Sequence, residues 1–374
     1  KFLGYDTHVY EMVASGREET YQIALSTRGR PERWHPKDFF GRNAASYRGG
    51  VIDVRGPKNT LASIAKDIND PKIFSYDPAT RTAVCNAGMT ISPDSKLTIG
   101  DKDNPKLGET LKGLREKMEV SGTVEIYNSR FIECSKIRVR FDVGRVVVRN
   151  SEFSHPTTNH SVFSGKRTKG VRVYDIRGAD IHHCKESVFY LGSNPGPLIN
   201  CKIHDNPKGL GPAGDRNYIV HQKRVKLTPV VLTDCKLWNN PIGNWTYGNT
   251  FGEVDWIYIN TTDDNLDKYK FTMGSLTCKW HLTLKARNKA GKPIAGLNVW
   301  LDTEGDKQDE KGITDTQGIS KLDVTEYIKD KTGKRSFTYQ IKVGQKAKEY
   351  RTVKGKWTLT GNSELNYVEG AGIE

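Results

Sequence analysis

A short unit recurs along the middle of this chain, and it limits the possible folds more than any other feature. The unit is an alternating apolar run, then a small polar pair, then one more apolar residue two positions on. It reads Val124-Glu125-Ile126-Tyr127-Asn128-Ser129-Arg130-Phe131 and again Val146-Val147-Val148-Arg149-Asn150-Ser151-Glu152-Phe153. A degenerate copy, Ile176-Arg177-Gly178-Ala179-Asp180-Ile181, follows. Two more are Leu198-Ile199-Asn200-Cys201-Lys202-Ile203 and Val230-Val231-Leu232-Thr233-Asp234-Cys235-Lys236-Leu237. The aligned apolar residues Phe131, Phe153, Ile181, Ile203 and Leu237 lie 22, 28, 22 and 34 residues apart.

Alternation with period two is the mark of a strand with one inward face. A strand this short cannot bury that face alone, so the copies must stack on one another. The polar pair suits a sharp bend, because Asn and Asp tolerate left-handed backbone. Stacked Asn side chains can also hydrogen-bond along the stack. A 22-residue step is about one turn of a parallel coil, and the longer steps add loops of 6 and 12 residues. Further strand-like runs fall at a common offset. Phe141 lies nine residues before Asn150, and Leu191 nine before Asn200. Residues 137–141 and 187–191 therefore form one face, with residues 160–163 and 218–221 filling that slot in the longer turns. The expected coil is three-sided.

This pattern resembles the right-handed parallel β-helix of the pectate-lyase-like superfamily over roughly residues 80–260. The segments 49–54 and 82–86 read as early coils within a less regular stretch, 1–80. Leu111, Leu114 and Met118 stand at helical spacing, so residues 107–117 are expected to form a helix that caps or flanks the coil. The pattern changes near residue 270. Long alternating runs and polar turns follow, and the pair GKPIAGLNVWL and TDTQG is similar to carboxypeptidase-regulatory-like and Cna-B-like domains. The expected fold is all-β: a parallel β-helix domain over 1–270, then a small antiparallel β-sandwich over 271–374. The second resemblance implies a spacer, stabiliser or adhesion module, and no chemistry.

Composition narrows the partners. The chain has 374 residues, 58 Lys and Arg against 44 Asp and Glu, and a net charge of +14. No run approaches the ~20 apolar residues that span a bilayer, so no membrane span is expected. A basic surface points to an anionic partner. Residues 160–230 hold 12 basic and 5 acidic residues, half of the net charge. No nucleic-acid-binding module is present, which leaves an acidic polysaccharide. The six cysteines form no CxxC pair and no zinc-finger spacing.

The β-helix resemblance implies cleavage of uronate-containing chains by β-elimination, outside the cytoplasm. That reaction needs cations to neutralise the substrate carboxylate, a base to take the adjacent proton, and an acid to protonate the leaving oxygen. With Ile137, Val139 and Phe141 inward, Arg138 and Arg140 face outward. The same register turns Val188 and Tyr190 outward, joined by His160 or Val162 and by Tyr218 or His221. The expected catalytic set is Arg140, Tyr190 and His221. Expected substrate contacts are Arg138, His160, Lys166, Arg167, Lys169, Tyr218, Lys223 and Arg224.

No cofactor is expected. A calcium-dependent lyase needs clustered carboxylates, and Asp175, Asp180 and Glu186 fall on different sides of their turn. His182-His183 sits at a corner, where packing is favoured over metal binding. Two alternatives remain. A glycoside hydrolase would need paired carboxylates, a pattern that Asp263-Asp264 resembles only slightly. A non-catalytic surface protein would bind anionic glycans through the same basic face.

Overall fold

The computed structural model describes residues 7–14, 17–24, 44–139, 144–155, 162–165, 174–185, 188–191, 196–206, 213–214, 229–240, 255–264, 266–268, 271, 274–303, 309–345 and 351–373. The chain is all-β with large parallel sheets. Between residues 88 and 240 it visits three sheets in strict rotation. Gly88–Ile91 lies in the first sheet, Lys96–Ile99 in the second and Thr110–Lys112 in the third. Met118–Val120, Thr123–Tyr127 and Arg130–Ile132 then pair parallel with those three. The next rounds repeat the order.

The registers pair the aligned repeat units directly. In the third sheet Phe131 faces Phe153, which faces Ile181, then Ile203, then Leu237. These side chains point inward and are buried in one apolar column. The Phe131 and Phe153 rings stack with centroids 5.0 Å apart. Removing this surface from water is the main stabilising term for such a column.

Between the second and third sheets the backbone turns through one left-handed residue per round. Asn128, Asn150, Asn200, Asp234 and Asn260 have φ of 52°, 49°, 54°, 55° and 46°, and Gly178 has 66°. Asn150 Nδ2 donates to Asn128 Oδ1 at 3.4 Å, and Asn260 Nδ2 to Asp234 Oδ1 at 2.5 Å. Gly178 interrupts the series for a steric reason: a Cβ there would lie 2.3 Å from Asn150 Oδ1.

After the bends at Asn150, Asp234 and Asn260 the next residue points inward and caps a backbone N–H of the preceding round, whereas Ala179, after Gly178, has no side-chain acceptor. Ser129 N–H donates to Ser151 Oγ, Cys201 N–H to Cys235 Sγ and Cys235 N–H to Thr261 Oγ1. All six cysteines are free and buried. Burial pushes the Cys85 thiol up to about 11 and the Cys134 thiol to about 12. At the next corner Asn206 and Asn240 are fully buried. Asn206 Oδ1 accepts from Cys184 N–H at 2.9 Å, and its Nδ2 donates to the Ile181 carbonyl at 3.1 Å.

The expected helix over 107–117 is not there. Thr110–Lys112 is a third-sheet strand and Met118 begins a first-sheet strand. Leu111, Leu114 and Met118 are all buried in the coil. Their three-and-four spacing comes from rounding a corner, with Gly113 at φ 71°. Among the described residues an α-helix does form at Leu61–Ile68, with a Thr60–Ser63 capping box and with Leu61 and Ile64 buried. It packs against Ala44–Arg48, Phe74–Asp77 and Lys96–Ile99, one strand from each of the three sheets at one end of the stack.

At the other end the 13-residue strand Ser275–Arg287 belongs to two environments. Its first five residues pair parallel with Asp255–Ile259, and Leu282–Arg287 pair with Ser363–Val368. Ile319–Asp330 pairs antiparallel along nearly its whole length. A separate antiparallel sheet contains Glu310–Ile313, Asn298–Asp302, Tyr339–Gly344 and Arg351–Trp357. Leu282, Leu284, Val299, Leu301, Ile341 and Leu365 form a second apolar cluster between these layers. The predicted turn at 312–318 is a tight turn over Asp315–Gly318, where Gly318 N–H donates to the Asp315 carbonyl.

Two substitutions test the corners. Asn206→Ala strands a buried N–H and a buried carbonyl, so it should cost about 2–4 kcal/mol in urea unfolding. Gly178→Ala forces a left-handed alanine and displaces Asn150, so it should cost about 1–2 kcal/mol or more.

Candidate functional site

Two outer faces of the stack carry polar side chains in register. On the first sheet, Thr90, Glu119, Arg138, Ser164, Tyr190 and Ala213 pair in one column. Ile137 and Val139 are buried, so the expected alternation holds and Arg138 faces out. Tyr190 occupies the same column two strands further on, which is about 9.6 Å along the stack. Between them Ser164 is 6% exposed, and its Oγ is buried with no hydrogen-bond partner among the described residues. Burial, together with nearby Arg138 and Lys117, lowers Lys136 below the ordinary lysine value. This end of the face is therefore basic.

Other expected site residues, namely Arg140, His160, Lys166, Arg167, Lys169, Tyr218, His221, Lys223 and Arg224, lie outside the described residues. Two expectations about this face are corrected. Val188 does not point outward; it is fully buried. It precedes the strand, as the buried Val162 does one round earlier, and its carbonyl accepts Phe163 N–H. The slot expected for residues 218–221 is also filled differently: Ala213 and Gly214 pair there with Tyr190 and Leu191.

The third sheet carries a column that the sequence shows only in part. Ser154, His182, His204 and Trp238 follow the inward apolar residues by one position, so all face out. Parallel strands repeat about every 4.8 Å, close to the stacking distance of flat rings. His182 stacks on His204 with centroids 4.9 Å apart, and His204 on Trp238 at 4.2 Å with 8° between the planes. One residue further on, at the left-handed corner, His155 stacks on His183 at 4.8 Å.

Carboxylates fix these rings. His204 Nδ1 lies 2.6 Å from Asp205 Oδ2, and its Nε2 lies 2.9 Å from Asp180 Oδ1. Both nitrogens are committed, so His204 is a positioned link and not an open acid or base. His182 Nδ1 lies 2.7 Å from His183 Nδ1, and its Nε2 lies 3.5 Å from Glu152 Oε1. Arg130 Nε donates to Glu152 at 2.8 Å. That bond holds the Glu152 carboxyl below its ordinary value. Hydrogen bonds from His204 and Asn239 do the same for Asp205. Burial, and then the neighbouring His204, lower His182.

The sequence singled out His182-His183 as a packed corner. It missed His155, His204 and Trp238 as their neighbours, although each falls at a fixed offset from the repeat. Among the described residues no group of three or more His, Cys, Asp or Glu side chains is arranged to hold a metal ion. Among them, too, no helix is long and apolar enough to cross a membrane. No protein-family model matches this chain, and no curated protein or solved structure matches it.

The depressed His182 gives a pH signature. The folded state holds this ring neutral below the ordinary value of 6.5, so the unfolded chain binds the extra proton. Stability is present above that value and is lost as pH falls through the folded one. The melting temperature should fall on acidification from about pH 7.5 to about pH 5.5. His182→Gln should flatten that limb, while Glu152 and Asp205 govern the loss at still lower pH.

Proposed function

We propose that the three-sheet stack is a right-handed parallel β-helix, and that the protein is a polysaccharide lyase acting outside the cytoplasm on a uronate-containing polysaccharide. The observation that carries this reading is the first-sheet column in which Arg138 and Tyr190 stand two strands apart. A long cationic side chain and a phenol at that separation can converge on one sugar. The basic character around Lys136 and Arg138 adds to it, because a uronate chain is a polyanion.

In this reading Arg138, with Arg140, binds and neutralises the sugar carboxylate, which makes the neighbouring C–H more acidic. Tyr190 and His221 share the acid and base roles. The base removes the C5 proton, the C4–O bond breaks, and the departing oxygen takes a proton. The product is an unsaturated uronate at the new non-reducing end. The basic residues Lys166, Arg167, Lys169, Lys223 and Arg224 hold the chain, together with His160 and Tyr218. The C-terminal β-sandwich serves as a spacer.

Incubation with a panel of uronate polysaccharides, followed in the ultraviolet band of the unsaturated product, tests this. At least one member should yield that absorbance. Arg138→Ala and Tyr190→Phe should each lower kcat/KM about 100-fold or more. New reducing ends without absorbance would make the protein a hydrolase. Retention of the polymer without cleavage would make it a binding protein.

A further inference from the structure

Among the described residues the ring column of the third sheet ends on Trp238. One indole face rests on His204. The next strand, Thr262–Asp263, pairs with Lys236 and Leu237 and stops before the Trp238 register. The following residue, Asp264, brings a carboxylate instead of a ring, and its Oδ2 accepts Asn239 N–H at 2.7 Å. The stack therefore stops while its last ring is 36% exposed. Lys236 stands two residues earlier on the same strand, so it projects from the same side of the sheet. It is exposed and has no ion pair among the described residues. In the neighbouring strand it faces Lys202, whose Nζ lies 3.9 Å from Asp180 Oδ2.

We infer that the Trp238 end of this column is a second binding site, and that its ligand is an acidic sugar ring of a polysaccharide. A pyranose presents a flat array of C–H groups, and an exposed indole is the side chain best suited to stack on it. The stack beneath holds the indole in place: His204 is pinned at both nitrogens by Asp180 and Asp205. Little rotamer freedom is then lost on binding. Lys236 supplies the charge that selects a ring carrying a carboxylate.

The site lies on a different sheet from Arg138 and Tyr190, so it cannot take part in the bond cleavage proposed there. It would instead anchor the same polymer at a second point, raising its effective concentration at the first-sheet face. The choice of ligand class rests on the lyase reading, whereas the platform itself does not.

Native electrophoresis through gels containing polygalacturonate, alginate or hyaluronan, with dextran as the neutral control, measures this binding. The chain should be retarded in at least one acidic gel and not in dextran. Trp238→Ala should weaken that retardation about tenfold or more, and Trp238→Phe should keep most of it. Lys236→Gln changes an exposed side chain and leaves the fold intact, so it tests the site independently; it should also weaken retardation. Unchanged retardation in both Trp238→Ala and Lys236→Gln overturns the inference. So does the absence of retardation in every acidic gel, or equal retardation in dextran. Product absorbance from a short oligouronate separates the two sites. Trp238→Ala should leave it unchanged, whereas Arg138→Ala should lower it about 100-fold or more.

Discussion

Each time the chain passes from the second sheet to the third it must turn sharply, and a single residue with positive φ makes the turn. Asn, Asp or Gly occupies that position from Asn128 to Asn260, because other residues pay a steric cost for left-handed backbone. At Ser151, Cys235 and Thr261 the residue that follows points inward and gives the neighbouring round a side-chain partner for a backbone N–H. Buried N–H groups need such partners, so the bend and the polar column inside it are one device. The outer polar residues inherit their alignment from it. His182 can stack on His204, and His204 on Trp238, only because every round re-enters the third sheet in the same register.

The same device accounts for two of the cysteines. Cys201 and Cys235 lie in adjacent rounds at positions that are Ser129, Ser151 and Thr261 elsewhere. A small side chain with a weak acceptor suffices there, and sulfur provides it. Both ends of the column are covered as well. The helix Leu61–Ile68 lies across one end, and Ile319–Asp330 pairs along the strand Ser275–Arg287 at the other. Tyr327 and Cys278 are buried with the coil residues, whereas Leu282 and Leu284 belong to the second cluster. One strand thus joins two hydrophobic environments, and the edge of the second sheet is not left open for unwanted pairing.

The repeat is legible in the sequence because two requirements coincide in it, an inward apolar residue and a left-handed bend. Where only one requirement acts, sequence pattern misleads. Leu111, Leu114 and Met118 satisfy helical spacing while lining a corner, since a bend brings every third or fourth side chain inward as a helix does. The true helix, Leu61–Ile68, is only eight residues long and begins with Ser63 where a capping box more often carries Glu or Gln. Val188 reads as outward only if strict alternation is extended one residue too far; one round earlier the consecutive residues Val162 and Phe163 are both buried. On the first-sheet face the register of Arg138 with Tyr190 is readable, since both flank inward residues of the same strands. The ring column is not, because stacking depends on the register between rounds separated by 22 to 34 residues, and no local pattern shows which rings meet.

The variation in round length has a location, and the location bears on function. From Thr123–Tyr127 onward the step from a second-sheet strand to the next third-sheet strand is constant: Tyr127 to Arg130, Arg149 to Glu152, Arg177 to Asp180, Ile199 to Lys202, Thr233 to Lys236 and Ile259 to Thr262; the earlier step, Ile99 to Thr110, is longer and includes the short turn Pro105–Leu107. Over those six rounds the bend keeps its length, because an added residue would move the αL position and break both polar columns. The extra residues of the 28- and 34-residue rounds all fall between a third-sheet strand and the next second-sheet strand, on either side of the first sheet. Loops that vary around a fixed scaffold are where proteins place binding and catalysis. Those same segments hold the basic excess of residues 160–230. Length and basic charge therefore fall in the same stretches of sequence, whereas from Tyr127 onward the third sheet keeps short corners of constant length and offers a rigid platform in place of loops.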